Sequence, residues 1–451
     1  PGLSLGGIGQ YFNRHETWAE MARPWIDYLA RNALLLQQGR NVADVAYFYG
    51  EEAPLTGLYG ERPVPDAPKH YGYDFVNTEA LVGALANDGA ELVTPGGARY
   101  QALYLCGSSG QMTLPTLRRI AALVEGGATV IGLRPEANPS LAGDPGEWAA
   151  LRNRLWRGSD MTEVGRGRVI AVGDLDTGLA AMALPPDFRF TGGAPDTDIP
   201  FLHRKLGDGD SYFLANRRDR RETIEARFRV TGKAPELWRA DSGAIEPVSY
   251  RIENGATVVP LTLAADESVH VVFRRPAPAG GLNYARAEPV DQSTLAGPWT
   301  VTFQPGRGAP VKPVKVARLA PLDANSSPGI RYFSGIATYA NKFDAPKGWR
   351  SGRPLWLDLG EVREVAEVVV NGKRAGTVWH APYRLDISRL VKARGNRVEV
   401  RVANLWVNRL IGDAQPGATP VAWTGLQAYK PDSPLRRSGL IGPVRLLGER
   451  R

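Results

Sequence analysis

The feature that most limits how this chain can fold is a change of hydrophobic period near residue 186. Before that point, short apolar runs alternate with stretches of helical spacing. "VADVAYFY" is followed by "NTEALVGALANDG", "ALYLCG" by "LPTLRRIAALVEGG", and "ATVIGL" and "GRVIAVG" come after them. Strand and helix in strict alternation imply a mainly parallel sheet with helices on its faces. Ligands of such sheets sit beyond the carboxyl ends of the strands, here "GEEAPL", "GSSG" and "RPEANP". After residue 186 the helical period disappears. "SYFLANR", "IEARFRV", "APELWRA" and "ESVHVVFRR" are short strands separated by turn residues, the pattern of a β-sandwich. "PAPAGG" reads as a linker, and a second all-β block runs from there to the end.

The reading is therefore a multidomain chain, α/β followed by all-β. Its 451 residues suit three or four domains at roughly 100–200 residues each. Residues 40–185 form the α/β domain, 186–276 a small sandwich and 277–451 a second sandwich. Residues 1–39 are a Gly-rich loop and then a helix, with Trp25, Tyr28, Leu29, Leu35 and Leu36 at helical spacing. Pro24 predicts a kink or restart in that helix, and Gly39 a C′ position. A lone amphipathic helix makes no domain. It is expected to meet a partner outside this chain or to leave an apolar face open.

In the last block, "VVVNGKRAGTVWHAPYRLDI" carries Asn371-Gly372 between two β-rich runs. That pair predicts a two-residue hairpin turn with φ > 0 at both positions. Trp379, His380, Tyr383, Asn404, Trp406 and Asn408 add aromatic rings and amides nearby. Rings stack on sugar C–H faces and amides read hydroxyls, although the same residues can simply pack a sandwich.

Composition excludes several classes. A single cysteine, Cys106, allows no internal disulfide and no thiolate metal cluster. No apolar run is long enough to span a bilayer. The net charge is +8, but Lys and Arg are scattered among Asp and Glu. The densest basic run, "NRRDRRE" from Asn216 to Glu222, reads as a solvated hairpin tip rather than a nucleic-acid site. Neither nucleic acid nor membrane is an expected partner.

Candidate pocket residues are few. "YFNRHETW" places Asn13, Arg14, His15 and Glu16 before a helix, where a barrel's catalytic-face loop would lie; capping is the alternative. His15 has no zinc-type spacing. Glu51 and Glu52 follow a strand, but neighbouring extended residues point to opposite faces and cannot face each other across a substrate. Either of them, and Asp74 beside Tyr71 and Tyr73, could line a cleft. Cys106 to Gly110 lacks the G-x-S-x-G spacing of a nucleophile elbow, so Cys106 reads as structural.

These stretches, taken in order, resemble a known family. "GIGQYFNRHETWAEMARPWIDYLARNALLLQQGRNVADVAYFYGE", "HYGYDFVNTEAL", "HRKLGDGDSYFLANR" and "PELWRADSGAI" are similar to glycoside hydrolase family 106, the α-L-rhamnosidases. The opening hairpin with "NRVEVRVANLWVNRLIGD" and "SGLIGPVRL" resembles the family's carboxyl-terminal jelly roll, a type shared with β-galactosidase-like enzymes. The resemblance implies that 1–39 is the last βα piece of a TIM-like barrel and 40–185 a flavodoxin/amidotransferase-like domain. It makes 277–451 a galactose-binding-like jelly roll. It implies hydrolysis of terminal α-L-rhamnose with inversion and with calcium assistance, on rhamnosylated substrates such as flavonoid glycosides or plant polysaccharides.

The family's acid and base lie on earlier barrel strands, so no catalytic carboxylate is carried onto this chain. Its partner would be the missing amino-terminal catalytic barrel. Asn13, Arg14, His15 and Glu16 match the last barrel loop, and Glu16 is the residue that could reach a calcium ion. A periplasmic or secreted location is implied for an intact bacterial protein. A β-galactosidase- or β-glucuronidase-like glycosidase and a non-catalytic carbohydrate-binding protein remain the alternatives.

Overall fold

The computed structural model describes residues 12–51, 66–158, 160–278, 280–284, 289–425 and 427–449. The chain is multidomain and mostly sheet, and it forms two compact units. One spans residues 31–284. The other combines residues 1–30 with 285–451. Among the described residues no helix is long and apolar enough to cross a membrane.

In the first unit, the apolar runs of the amino-terminal half become one six-stranded sheet. Its order is Tyr73–Val76, Val45–Phe48, Ala102–Leu105, Thr129–Ile131, Gly167–Ile170 and Met161–Val164. The first five strands are parallel and the last is antiparallel. Val45–Phe48, Ala102–Leu105 and Thr129–Ile131 are buried at every residue, as strands covered on both faces must be. Helix α1 runs over Arg23–Leu36, α2 over Thr78–Gly83, α3 over Leu114–Gly126, α4 over Pro145–Leu155 and α5 over Leu175–Ala181. Leu117, Ile120 and Val124 of α3 and Trp148 of α4 pack on one sheet face, while Leu175 and Leu179 of α5 pack on the other.

Two local expectations need correction. The "NTEALVGALANDG" helix is capped by Asn77, whose side chain accepts from Ala80 N, but it stops at Gly83. Ala86–Asp88 then turns back on Glu91–Val93, because Gly89-Ala90 forms a two-residue hairpin turn with Gly89 at φ 64°. Gly39 lies beyond the end of α1 at Leu36 and is not its C′ residue. It is glycine because a Cβ there would fall 2.0 Å from the Lys205 carbonyl oxygen. The restart expected at Pro24 is present: a 3₁₀ turn over Ala19–Met21 ends, and α1 begins at Arg23 with Pro24 in its first turn.

The sandwich of this unit has two sheets. One contains Phe201–Lys205, Asp210–Ala215, Ser268–Pro276 and Lys233–Trp238, with Arg40–Asn41 added at its edge. The other contains Phe188–Gly192, Glu222–Phe228, Ala256–Leu263 and Arg251–Glu253. Tyr212, Phe228 and Phe273 fill the space between them. The "NRRDRRE" segment joins Asp210–Ala215 to Glu222–Phe228, and these strands belong to different sheets. It is therefore an arch and not a hairpin tip. Asn216 secures it from inside by donating to the Arg220 and Ala264 carbonyls.

The second unit is built on another β-sandwich. Its larger sheet runs Val314–Val316, Trp299–Phe303, Gly335–Phe343, Asn396–Asn404, Val365–Val370 and Lys373–Val378. The facing sheet runs Val290–Thr294, Arg445–Gly448, Leu355–Asp358 and Arg384–Asp386. The alternate residues Ala366, Val368 and Val370 point into the core with Val398, Val400 and Val402. The predicted hairpin is present: Val370 pairs with Lys373 around Asn371 at φ 52° and Gly372 at φ 78°. The Asn371 amide nitrogen donates to the Leu390 carbonyl and to Asn396 Oδ1, both at 2.8 Å, and its oxygen accepts from Arg397 N at 3.0 Å. The turn is thus tied to the start of the neighbouring strand, which fixes the register of both.

Gly372 has nothing within 4 Å of a Cβ, so only backbone strain opposes a side chain there. Gly372→Val should lower the unfolding free energy of this unit by about 1–2 kcal/mol in a denaturant titration. Gly372→Asn should recover most of that loss. Equal stability of all three proteins would show that the turn does not demand a left-handed residue.

Candidate functional site

The segment from Phe12 to Met21 is a series of tight turns lying on the carboxyl-terminal sandwich. Asn13 folds back so that its Oδ1 accepts from His15 N at 2.8 Å, while its carbonyl accepts from Glu16 N. Trp406 Nε1 donates to the His15 carbonyl at 2.9 Å. Trp406 is held in turn under Arg307, whose guanidinium carbon is 4.4 Å from the ring centroid. Backbone and indole are therefore engaged with each other, while the His15 and Arg14 side chains face solvent. Glu16 and Thr17 are buried. Phe12, Trp18 and Trp25 form an aromatic triad with centroids 5.7 to 5.9 Å apart. Tyr28 lies edge-on to Trp379 at 5.2 Å.

These residues form a surface of rings flanked by an imidazole and a guanidinium, the chemistry that grips sugars. Asn13 belongs to it as a loop former, since its side-chain oxygen caps a backbone nitrogen. Among the described residues no group of three or more His, Cys, Asp and Glu is placed to hold a metal ion. Glu16 alone falls short of the six to eight oxygen ligands calcium takes, so this set does not fit that ion.

The other singled-out carboxylates hold the fold. Glu51 Oε2 accepts from Thr113 N at 2.8 Å, and Oε1 accepts from the Thr113 and Thr116 hydroxyls at 3.0 Å. It caps α3 from the neighbouring strand end, where a negative charge favours a helix start. Glu52 lies outside the described residues. Asp74 accepts from Asn41 Nδ2 at 3.2 Å and from the Tyr100 hydroxyl at 3.1 Å. The amides of the last block are likewise engaged with backbone. Asn404 donates to the Gly335 and Val402 carbonyls, and Asn408 bridges both the N–H and C=O of Arg436. Cys106 is buried, with Sγ 3.0 Å from Ser108 Oγ.

Sequence reasoning missed two clusters. Asp66 accepts from the hydroxyls of Tyr47 and Tyr104, on two adjacent strands of the parallel sheet. Burial, reinforced by Asp66, pushes both phenols up. The second cluster centres on His203. Its Nδ1 lies 2.9 Å from Asp187 Oδ2, its Nε2 lies 3.1 Å from Asp210 Oδ1, and its ring stacks on Tyr212 at 3.9 Å. Both nitrogens can donate only if the ring is an imidazolium. Burial opposes that charge, but Asp187 and Asp210 together outweigh burial and hold the ring above its usual value. Asp187 also accepts from the Tyr212 hydroxyl at 2.7 Å. Arg229 lies 3.5 Å from Asp187 and donates to both oxygens of Asp44 at 2.9 Å. His270 is the opposite case. It meets Asn32 Oδ1 at 2.8 Å, and burial pushes it down to about 4.

Residues 332–434 match the model of a glycosyl hydrolase galactose-binding-like domain, which places the chain among carbohydrate-active proteins. Residues 1–252 match the model of glycoside hydrolase family 106, described as alpha-L-rhamnosidase, and the chain belongs to that family. The solved structure of a rhamnosidase from a Novosphingobium species is 57% identical. That match has a TM-score of 0.91 and covers 99% of this chain and 43% of that one. A putative beta-glucuronidase of Formosa agariphila is 26% identical, over 92% of this chain and 54% of its own length. The chain thus spans about half the length of the relatives it matches.

The two histidines predict opposite pH limbs. His203 has a raised value when folded, so its contribution is complete below about pH 6.5 and is lost as pH rises through the folded value. His270 is depressed, so stability falls as pH drops from about 6.5 to about 4, by roughly 3 kcal/mol in total. His270→Gln should flatten the acid limb. His203→Gln should flatten the alkaline limb and cost about 3–5 kcal/mol at pH 6, because it leaves buried carboxylates uncompensated. Unfolding titrations between pH 4 and pH 9 read both slopes.

Proposed function

We propose that this chain is the carboxyl-terminal part of an α-L-rhamnosidase that releases terminal α-L-rhamnose from rhamnosides with inversion. In this reading the general acid and base stand on a catalytic barrel that these residues do not contain. Residues 1–39 complete that barrel, 40–185 form a flavodoxin/amidotransferase-like domain, and the carboxyl-terminal sandwich is a galactose-binding-like jelly roll. The observation that carries the reading is the rhamnosidase match, which takes in nearly all of this chain and less than half of its partner.

Exposure of α1 supports it. Ile26 (53%), Leu29 (44%) and Leu34 (62%) recur at helical spacing on an open face, and Phe12 (68%) stands near its start. Such a stripe is what a helix shows when its packing partner lies elsewhere. Arg14 and His15 then project toward the sugar pocket as hydrogen-bond donors. Rhamnosylated flavonoid glycosides and plant polysaccharides are the substrate classes proposed. The match to a putative beta-glucuronidase makes a β-glucuronide the second substrate to assay.

By itself this chain should not hydrolyse 4-nitrophenyl α-L-rhamnoside, because the paired carboxylates of an inverting site are supplied from outside it. Turnover by a preparation of this chain alone would refute the division of labour. In a polypeptide extended to the length of the rhamnosidase relative, His15→Ala should lower kcat/KM about ten- to hundred-fold. Its unfolding midpoint should stay unchanged, since the imidazole is exposed. A lowered midpoint with unchanged kcat/KM would make His15 a structural residue. Faster release from the β-glucuronide than from the rhamnoside would replace the substrate assignment.

A further inference from the structure

The larger sheet of the carboxyl-terminal sandwich brings five strands to one end. Phe303, Ala337, Val402, Ala366 and Val378 stand level across it by their pairing. Just beyond that line the chain carries Arg307, Trp406, Glu364 and Trp379. The loop with Arg14 and His15 rests on the same end, through the 2.9 Å bond from Trp406 Nε1 to the His15 carbonyl. The turn Ala19–Met21 packs beside the strand Val365–Val370.

Among the described residues, two charged groups at this end have no hydrogen-bond partner. Arg307 is half-buried, with its guanidinium carbon 4.4 Å from the Trp406 ring centroid. That contact uses the π face of the cation, so its N–H edges remain open to an acceptor. Burial pushes the guanidinium down. Glu364 stands at the start of the strand beside Asn396–Asn404, where its N donates to the Ala403 carbonyl at 3.0 Å. Its half-buried carboxylate receives no donor, and burial pushes it up against the pull of Arg363 and Arg436. The Tyr383 hydroxyl lies within the field of that carboxylate. Elsewhere in this sandwich the charges are matched: Arg409 meets Asp413 at 3.0 Å, Arg384 meets Asp358 at 3.0 Å and Arg437 meets Glu361 at 2.8 Å. Open charges held partly out of water are costly to keep, so this end is unlike the rest of the domain.

The open groups limit what can satisfy them. A planar aryl group would meet the rings and leave Arg307 and Glu364 without partners. An inorganic anion would satisfy Arg307 and be repelled by Glu364. A sugar supplies hydroxyls that both accept and donate, together with an apolar ring face for Trp379 or Tyr383. Glu364, Trp379, Tyr383 and Trp406 all fall within the residues that match the galactose-binding-like model.

We propose that this strand end is the leaving-group side of the glycosidase site, where Arg307 donates to, and Glu364 accepts from, hydroxyls of the sugar that carries the rhamnose. The inference rests on the rhamnosidase reading above. It narrows the substrate class to rhamnose linked to another sugar.

The test uses the polypeptide extended to the length of the rhamnosidase relative. Its kcat/KM is measured on a rhamnosyl-glucose disaccharide and on 4-nitrophenyl α-L-rhamnoside. Arg307→Met and Glu364→Gln should each lower the ratio of the first to the second at least tenfold. Arg307→Lys keeps a cation over Trp406 but loses the fork, and should lower the ratio less. Glu364→Gln should not lower the melting temperature, because the carboxylate has no hydrogen bond to lose. An unchanged ratio in either Arg307→Met or Glu364→Gln would overturn the assignment. An unchanged ratio with a lowered melting temperature would make the residue a structural contact and overturn it too. Wild-type polypeptide inactive on both rhamnosides would overturn the proposed function, and this assignment with it. Wild-type polypeptide active on both, with variants that do not discriminate, would overturn this assignment alone.

Discussion

One histidine between two buried carboxylates organises the larger unit of this chain. His203 faces Asp187 on one side and Asp210 on the other, and Asp187 is wholly buried. Tyr212 and Arg229 converge on the same carboxylate, and Arg229 extends the network to Asp44, immediately before the strand Val45–Phe48. The parallel sheet and the sandwich of this unit are therefore joined through charge and hydrogen bonds. Such a network need not be more stable than a hydrophobic substitute of the same shape. What it imposes is completeness, since every member desolvates the others and none can be removed without stranding a neighbour. That accounts for the sequence "HRKLGDGDSYFLANR": His203, Lys205, Asp210 and Tyr212 are all members.

Much of the architecture was legible because it rests on local signals. The buried strands, the Asn77 cap and the Asn371-Gly372 turn each depend on residues within a few positions of one another. What was not legible depends on distant partners. Alternation identified the strands flanking Asn216–Glu222, but not that they join different sheets. Asn404, Asn408 and Trp406 looked like sugar-binding groups by type. Their actual partners include the Arg436 backbone and the His15 carbonyl, the latter 391 positions away. Glu51 was a candidate cleft residue until the start of α3 supplied three donors to it.

The candidate loop illustrates how one segment divides its atoms between structure and chemistry. Its backbone is fixed by Asn13 from within and by Trp406 from the sandwich. That frees the Arg14 and His15 side chains for solvent while Glu16 is taken into the interior. A pocket residue is most useful when its main chain is rigid and its side chain is not needed for folding. Here the rigidity comes from an indole on a different sheet-based scaffold. The galactose-binding-like domain thus supports the loop.

The turn at Asn371-Gly372 has a further consequence, for how the protein ages. Asparagine followed by glycine is the pair most exposed to cyclisation, in which the following backbone nitrogen attacks the side-chain carboxamide and ammonia is lost. Glycine gives that attack no steric cover. In this hairpin the Asn371 carboxamide is held on both ends, its oxygen by Arg397 N and its nitrogen by Leu390 and Asn396. The ladder fixes the backbone on either side. The Gly372 nitrogen cannot swing onto the carboxamide carbon without breaking those bonds. Conversion to aspartate or isoaspartate is therefore confined to the moments when the hairpin opens, and the chemical lifetime of the chain is set by the same lock that sets its register.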